Sequence, residues 1–293
     1  MSNYIVTAIY DGLHGTSLGG RASRGEHYRH SFKSISKITD TEYTIYTNEH
    51  DPIKTFMVDN ISNVKYDLKT YDLNNSEYSA KINNIKDIES TKSSSRCIEL
   101  QYSKFTWIES LANLINEEDY IYWFDAGLSY SGLIPDKHLG NKGYHDYNYY
   151  SPLFNNQFFS NLISYTDESF FCIAKDNVNF FWDGGLPDKW YINGKDCSNH
   201  IIGGLFGGKS KIVKQVCSLF RSLANNLLDD EKNLYSEENI LTVLYYNHKE
   251  LFKTKTFDIW WHENNIVGNV GEERAKELLS STKSFYHILE ELQ

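Results

Sequence analysis

The stretch Tyr4-Ile-Val-Thr-Ala-Ile-Tyr10 is an apolar, β-branched run whose length predicts a buried strand. Residues 11–25 follow it and contain five glycines, which is typical of a loop. Residues 28–38 then carry apolar side chains on one helix face, and residues 42–48 predict a second strand. The order strand, glycine-rich loop, helix, strand indicates the nucleotide-binding half of an α/β sheet.

The remainder of the chain continues to alternate between strands and helices. Residues 119–124 predict another buried strand, and residues 212–227 predict a long amphipathic helix. Residues 74–96 are polar and predict a surface segment, whereas Ser151-Pro152 fits the start of a helix. A last strand is predicted at residues 256–261.

The composition of the 293 residues argues against several classes of function. The chain has 29 basic and 39 acidic residues, and a net charge of -10 argues against a nucleic-acid partner. No apolar run approaches the roughly 20 residues that span a bilayer, and the N-terminal residues lack a basic leader. The four cysteines lack paired spacing, which fits a reducing compartment and predicts a cytoplasmic protein. Aromatic residues make up 15% of the chain, and we expect some of them to line a groove.

Asp125 is the most informative single residue. It directly follows the predicted strand Tyr120-Ile-Tyr-Trp-Phe124, so its carboxylate would lie at the carboxyl edge of the sheet, where open α/β sheets bind ligands. A carboxylate there can hold a divalent cation that neutralises a diphosphate. The alternative is a structural role, in which Asp125 opens a tight turn with Gly127.

The segment Gly203-Gly-Leu-Phe-Gly-Gly208-Lys209-Ser210 formally matches the phosphate-binding pattern GxxxxGK[ST]. A P-loop needs a strand before it and a helix after it. It normally opens its domain, whereas this segment lies two-thirds along the chain. A P-loop nucleotide hydrolase therefore stays an alternative that the context disfavours. Paired glycines also let a ligand or another segment approach the backbone closely.

Three further groups of residues carry charge or aromatic surface. Glu237 and Glu238 fall in the first turn of a predicted helix, where the helix dipole alone favours them. One of them could instead act at the reactive carbon of a sugar. Residues 260–262 (Trp-Trp-His) suit a sugar face, although a lone histidine is more often structural. Arg21 and Arg24 oppose the dipole at a helix start, which indicates either a bound anion or solvated side chains.

In chain order, these segments resemble the GT-A type glycosyltransferases. The first half is similar to the HtrL/YibB-like bacterial family, some members of which belong to surface-polysaccharide gene clusters. The residues that carry this resemblance are Ile5-Val-Thr-Ala-Ile-Tyr-Asp11, Arg21 to Tyr28, Tyr46-Thr-Asn48, Trp123-Phe-Asp125-Ala-Gly127 and Ile202-Gly-Gly-Leu-Phe-Gly-Gly208. The second half resembles the family 6 retaining transferases, the histo-blood-group type, through Phe206-Gly-Gly208 and Ser236-Glu-Glu-Asn-Ile-Leu-Thr242.

The resemblance implies a single GT-A-like α/β domain over residues 1–293, with a mixed central sheet. Residues 1–130 would form a Rossmann-like half that binds the nucleotide sugar, and residues 131–293 an acceptor-binding half. Glu238 matches the proposed nucleophile or stabilising carboxylate, with Glu237 beside it as a second catalytic candidate. The implied donor-binding residues are Thr7, Ala8, Tyr10, Arg21, Arg24, Lys104, Asp125, Ala126 and Gly127. The implied acceptor-binding residues are Trp182, Asp183, Gly203, Gly204, Trp260, Trp261 and His262.

The implied activity is transfer of a hexose-type sugar from a nucleotide diphosphate, such as a UDP-sugar, to a hydroxyl of a capsule or lipooligosaccharide glycan. The family 6 match implies retention of anomeric configuration, and a lipid-linked acceptor would bring peripheral membrane association. The Asp-x-Asp metal motif appears here as Asp125-Ala-Gly127, with one carboxylate instead of two. Either His262 completes a site for Mn²⁺ or Mg²⁺ with Asp125, or Arg21, Arg24 or Lys104 replaces the cation. A non-catalytic carbohydrate-binding protein is the alternative from another functional class.

Overall fold

The computed structural model describes residues 1–10, 24–50, 52–86, 96–128, 154–176, 186–192, 199–230, 234–257 and 285–293. The strands are β1 (Asn3–Ile9), β2 (Glu42–Thr47), β3 (Lys65–Thr70), β4 (Tyr120–Phe124), β5 (Phe170–Asp176), β6 (Asn199–Lys209) and β7 (Phe252–Phe257). The helices are α1 (Arg24–Ile35), α2 (Ile53–Asn60), α3 (Ser79–Lys86), α4 (Arg96–Ala112), α5 (Asn156–Thr166), α6 (Ser210–Asp230), α7 (Glu237–Asn247) and α8 (Phe285–Glu290).

The strands of the described residues form one seven-stranded sheet in the order β3-β2-β1-β4-β6-β5-β7. Strand β6 runs antiparallel to both of its neighbours, β4 and β5, while the other strand pairs are parallel. The predicted α/β class and mixed central sheet are therefore confirmed. The sheet takes β1 to β4 from residues 1–130 and β5 to β7 from residues 131–293, so one sheet runs through both halves.

Helices cover both faces of the sheet, and each face has its own apolar cluster. Helices α3, α4, α6 and α7 pack on one face, where Phe105 of α4 stacks on Phe220 of α6 with 3.6 Å between ring centroids. Helices α1, α2, α5 and α8 pack on the other face. Burial of these aromatic side chains stabilises the fold by about 1.5–3 kcal/mol for each one. No helix among the described residues has the length and apolar character needed to cross a bilayer.

Two elements in the first half differ from expectation. Strand β3 was not predicted, because its sequence Lys-Tyr-Asp-Leu-Lys-Thr is polar and the strand lies exposed at the sheet edge. Residues 74–96 were predicted as a surface segment, yet they include helix α3, whose Ile82 is fully buried. The few apolar residues of α3 are enough to anchor it, although their polar surroundings hide the helical pattern.

Two boundaries in the second half also differ. Helix α5 begins after Asn155, whose side chain accepts a hydrogen bond from the Phe158 N–H at 2.9 Å and caps the helix. The predicted start at Ser151-Pro152 lies outside the described residues. Strand β7 covers Phe252–Phe257 and so begins before the predicted residues 256–261. Its four central residues, Lys-Thr-Lys-Thr, are all polar, so no apolar run marks the strand in the sequence.

Most aromatic side chains among the described residues belong to the core. The Trp107 ring stacks on Tyr46 and on Tyr10, with 4.5 and 5.9 Å between centroids. Among the described residues, the aromatic side chain most open to solvent is Tyr66 on the edge strand β3. The expectation that aromatic residues line a groove therefore finds no support in the described part of the chain, and Trp182, Trp260 and Trp261 lie outside it.

Candidate active site

The candidate site lies where the carboxyl ends of β1 and β4 meet the amino end of β6. These ends share one edge of the sheet because β4 is parallel to β1 and antiparallel to β6. Asp125 follows β4 at this edge, and its N–H donates to the carbonyl of Gly204 at 2.8 Å. Its Oδ1 accepts a hydrogen bond from the Gly127 N–H at 2.9 Å, and its side chain is 31% exposed. Asp125 thus opens a tight turn and also presents a carboxylate at the carboxyl edge of the sheet, where open α/β sheets bind ligands.

The turn after β4 is packed against α1. A methyl group at Gly127 would lie 2.9 Å from Cδ1 of Tyr28 and closer still to its Cε1, so a side chain at this position would displace the ring. Ala126 is fully buried. The predicted donor-binding residues Ala126 and Gly127 therefore position the turn, and the partly exposed group it offers is the Asp125 carboxylate.

Helix α7 supplies two carboxylates to the same region. Ser236 caps the helix and forms a capping box with Asn239, in which the Asn239 side chain accepts from the Ser236 N–H at 3.2 Å. Glu237 and Glu238 are the first two helical residues, where the helix dipole favours negative charge. Their side chains have different surroundings, because that of Glu237 is 4% exposed and that of Glu238 is 37% exposed.

Glu237 forms a buried ion pair with Lys104 of α4. Lys104 Nζ donates to Glu237 Oε1 at 2.7 Å and to the Gly203 carbonyl at 3.2 Å, and it lies 3.6 Å from Asp125 Oδ2. Burial alone would lower the pKa of Lys104, but the carboxylates of Glu237 and Asp125 outweigh it and raise the pKa. Burial raises the pKa of Glu237 against the opposing charge of Lys104. Lys104 is therefore a permanently charged group whose contacts are made within the protein.

Glu238 is held by two contacts and leaves part of its carboxylate open. Its Oε1 accepts from the Gly203 N–H at 2.9 Å, and its Oε2 lies 3.4 Å from His200 Nε2. Burial by itself would raise the pKa of Glu238, but the His200 ring, the Gly203 N–H and the Lys104 charge together lower it. Glu238 is consequently an ionised carboxylate in a set position, as required of a group that stabilises positive charge.

His200 and Thr242 complete the surroundings of Glu238, and sequence analysis assigned them no role. The Thr242 hydroxyl donates to the Glu238 carbonyl at 2.7 Å and lies 3.3 Å from His200 Nδ1. Glu238 and Thr242 are four residues apart on α7, a spacing that places them on one helix face and could have linked them from sequence. No local pattern joins His200 to Glu238, because the two meet through the packing of α7 on β6.

Several other predicted donor-binding residues are buried. Thr7 and Ala8 lie inside β1 and are 0% and 7% exposed, and Tyr10 donates its hydroxyl to the Tyr71 carbonyl at 2.8 Å. Lys104 directs its ammonium group at oxygens of the protein, as described above. Arg21 lies outside the described residues, as does the side chain of Arg24. The donor-binding roles of the arginines stay predictions.

The predicted acceptor-binding residues divide in the same way. Gly203 is buried, with its N–H bound by Glu238 and its carbonyl by Lys104, while Gly204 is partly exposed. Both glycines thus hold catalytic candidates in position. The other members of the predicted set lie outside the described residues, namely Trp182, Asp183, Trp260, Trp261 and His262.

The P-loop alternative is wrong. Residues 203–209 belong to strand β6, and no phosphate-binding loop forms there. Gly207 has a φ of 151° and pairs with Tyr122, whose Cα would lie 2.6 Å from a methyl group on this glycine. Lys209 forms ion pairs with Glu118 and Glu168. The glycines allow close strand packing, which the local motif cannot distinguish from a phosphate cradle.

Asp125 is the member of the predicted metal pair that the structure describes. Within the described residues, no group of three or more His, Cys, Asp or Glu side chains could hold a metal ion. Mg²⁺ is often held by one or two carboxylates together with substrate phosphates, and a single partly exposed carboxylate meets that requirement. Asp125 therefore fits a cation that binds together with a diphosphate.

No protein-family model and no curated protein matches the chain. Mouse xyloside xylosyltransferase 1, in its apo form, is 9% identical with a TM-score of 0.43, and the match covers 87% of this chain and 85% of that chain. The glycosyltransferase GlyE of Streptococcus pneumoniae TIGR4, also an apo form, is 10% identical with a TM-score of 0.42, and the match covers 95% of this chain and 50% of that chain. This chain thus spans half the length of GlyE.

A third solved structure is 4-diphosphocytidyl-2C-methyl-D-erythritol synthase from Anaerococcus prevotii DSM 20548. It is 10% identical with a TM-score of 0.39, and the match covers 95% of this chain and 96% of that chain. With TM-scores of 0.43, 0.39 and 0.42, these likenesses assign no function to this chain.

Proposed function

We propose that this protein is a GT-A type glycosyltransferase that moves a sugar from a nucleotide diphosphate donor to a hydroxyl of a glycan. The observation that carries the proposal is the pair of partly exposed carboxylates, Asp125 and Glu238, at the carboxyl edge of the mixed sheet. Each is held by a backbone N–H, that of Gly127 for Asp125 and that of Gly203 for Glu238. Two separately fixed carboxylates suit a reaction with two centres of charge.

The two carboxylates meet different needs of the transfer. When the bond between the sugar and the diphosphate breaks, negative charge grows on the departing oxygen and positive charge on the sugar carbon. A divalent cation at Asp125 would neutralise the diphosphate. Glu238, ionised because His200 and the Gly203 N–H lower its pKa, would stabilise the oxocarbenium-like sugar. The acceptor oxygen then bonds to the sugar carbon, and its proton passes to the oxygen of the departing diphosphate.

The position of Glu238 also favours a retaining reaction. A carboxylate fixed at the sugar face can form or mimic a covalent intermediate, and attack by the acceptor from the same side restores the original configuration. The family resemblance around Ser236–Thr242 points to the same outcome and to a UDP-sugar as donor. Proton NMR of the product reports its anomeric configuration, and an inverted product would contradict the retaining proposal.

The decisive experiment measures release of nucleoside diphosphate from a panel of UDP- and GDP-sugars, with Mn²⁺ present and no acceptor. We expect one donor to be hydrolysed slowly by the purified full chain. Calorimetry with UDP provides a second measurement that needs no turnover. If no nucleotide sugar is hydrolysed and no nucleoside diphosphate is bound, the protein is not a glycosyltransferase. Binding of glycans alone would then favour the carbohydrate-binding alternative.

The role of Glu238 is tested by Glu238→Gln, which keeps the size of the side chain and removes its charge. We expect turnover to fall by about 100-fold or more, with UDP binding retained, since the lost interaction operates in the transition state. Glu250→Gln is the matched control, because the Glu250 side chain is 72% exposed. A Glu238→Gln protein with near-normal turnover would remove this residue from the mechanism.

A further inference from the structure

The residues that hold Glu238 and Asp125 meet at an irregularity in strand β6. In the pairing of β5 with β6, Ile173 opposes Ile202 but the preceding residue Cys172 opposes Phe206. Residues 203–205 of β6 therefore lie between two paired positions, are not paired with any residue of β5, and form a bulge. Bulges of this kind free backbone groups from the ladder and are common beside active sites.

The peptide groups of the bulge form hydrogen bonds with residues of the candidate site. Gly203 donates its N–H to Glu238 and accepts at its carbonyl from Lys104, and the Gly204 carbonyl accepts from the Asp125 N–H. A methyl group at Gly203 would lie 3.0 Å from Cδ of Glu237, so only glycine leaves room for the ion pair above it. The bulge consequently links both catalytic candidates to the Lys104–Glu237 pair.

The ion pair joins elements that are far apart in sequence. Lys104 lies on α4 and Glu237 on α7, and their side chains are only 5% and 4% exposed. Glu237 Oε2 is buried and has no hydrogen-bond partner among the residues that the structure describes. A buried ion pair gives little net stability once its desolvation is counted, so stability alone does not account for its presence. Lys104 also contacts the Gly203 carbonyl and Asp125, so the ion pair can hold both of them in position.

We propose that Lys104 and Glu237 are positioning residues, whose buried ion pair fixes the bulge of residues 203–205 and so sets Glu238 relative to Asp125. This inference rests on the proposed glycosyl transfer at that site. Glu237 acts through Lys104 and does not contact the sugar. A displacement of about 1 Å in a catalytic group can reduce turnover by about 100-fold, so the pair would matter for rate without touching substrate.

The test uses the double variant Lys104→Met/Glu237→Gln, which removes both charges together and leaves neither one buried alone. We expect kcat for the donor identified by the panel of nucleotide sugars to fall by at least about 10-fold, while KM changes by less than about 3-fold. Thermal unfolding checks that the variant is folded. Lys209→Met is the matched control, because Lys209 is also an ion-paired lysine, on the same strand β6 but at its far end. It should lose stability and keep kcat.

The single variant Glu237→Gln keeps an oxygen that can accept from Lys104, and it serves if the double variant does not fold. The proposal predicts a fall in kcat smaller than that of the double variant, with KM changed by less than about 3-fold, because the hydrogen bond to Lys104 remains while the charge is lost. A loss as large as that of Glu238→Gln would make Glu237 a catalytic residue and overturn the proposal. A folded double variant with wild-type kcat would overturn it as well. Failure of the wild-type chain to turn over any donor is a separate result, which contradicts the proposed function itself.

Discussion

Replacement of Gly203 by alanine tests the packing of the site without any assumption about its substrate. The new methyl group would lie 3.0 Å from Cδ and 3.1 Å from Cγ of Glu237, and closer still to Oε1. Apolar and carboxylate atoms normally approach a methyl group to about 3.5–4.0 Å. Glu237 must therefore withdraw by roughly 0.5–1 Å, although Lys104 holds its Oε1 at 2.7 Å.

The cost of this withdrawal can be worked from the ion pair. If the Lys104–Glu237 separation grows by roughly 1 Å from its present 2.7 Å, the lost attraction is about 1.5–2 kcal/mol at an effective dielectric constant of about 20. Overpacking of a full core costs about 1–3 kcal/mol by itself, and the two figures overlap because both describe the same movement. We expect Gly203→Ala to lose about 2–3 kcal/mol of the free energy of unfolding, which lowers Tm by roughly 3–5 °C.

The assay is urea or thermal unfolding of wild type, Gly203→Ala and the neighbouring variant Gly204→Ala. A methyl group at Gly204 would meet Cδ1 of Leu128 at 3.3 Å, a flexible side chain that needs to move only a few tenths of an ångström. We expect Gly204→Ala to lose less than about 1 kcal/mol. Equal stability of the two variants would contradict this packing, because it would show that no rigid carboxylate lies above Gly203.

Three further outcomes are expected. Replacing His200 by Asn moves the acid limb of the kcat/KM–pH profile to higher pH, because His200 lowers the pKa of Glu238 and activity is lost as pH falls through that pKa; an unmoved limb would count against the pairing. EDTA abolishes turnover of the wild-type chain and Mn²⁺ restores it, whereas Asp125→Asn stays folded and fails to respond to Mn²⁺; metal-independent turnover would assign the diphosphate charge to another group. Cys172 and Cys217 stay unlabelled by a thiol reagent until the protein is denatured, since burial raises the pKa of both thiols; mass spectrometry of the labelled native protein checks this, and modification of either one would disagree with its burial.

Local sequence patterns predicted the central strands well. Strands β1 and β4 are apolar and β-branched or aromatic throughout, because both faces of the sheet bury them beneath helices. The edge strand β3 escaped prediction since it is mostly polar and none of its residues is fully buried. The start of α7 was also read correctly, because Ser236 and Asn239 form a capping box that depends on neighbouring residues alone.

Site residues were predicted correctly only where a local sequence pattern marks their position. The carboxylate of Asp125 follows a readable strand, so its place at the sheet edge could be inferred. The glycines at 203 and 204 were read as a surface for an acceptor, although they form a bulge that holds Glu238 and Asp125. Gly208 was read within a phosphate-binding pattern, yet a methyl group there would lie 2.6 Å from the Ser169 carbonyl oxygen. Because glycine is favoured wherever two backbones or a backbone and a ligand come close, a glycine pattern does not distinguish these cases.

Local sequence patterns alone predict the α/β class, the helix with two acidic residues at its start, and the aspartate that follows a buried strand. These features depend on periodicity and on contacts within a few residues. The different surroundings of the two glutamates depend instead on long-range packing, which buries Glu237 against Lys104 and leaves Glu238 partly exposed beside His200. Lys104 and Glu237 are 133 positions apart, and their meeting depends on strand order and on the register of β6, which no local pattern encodes.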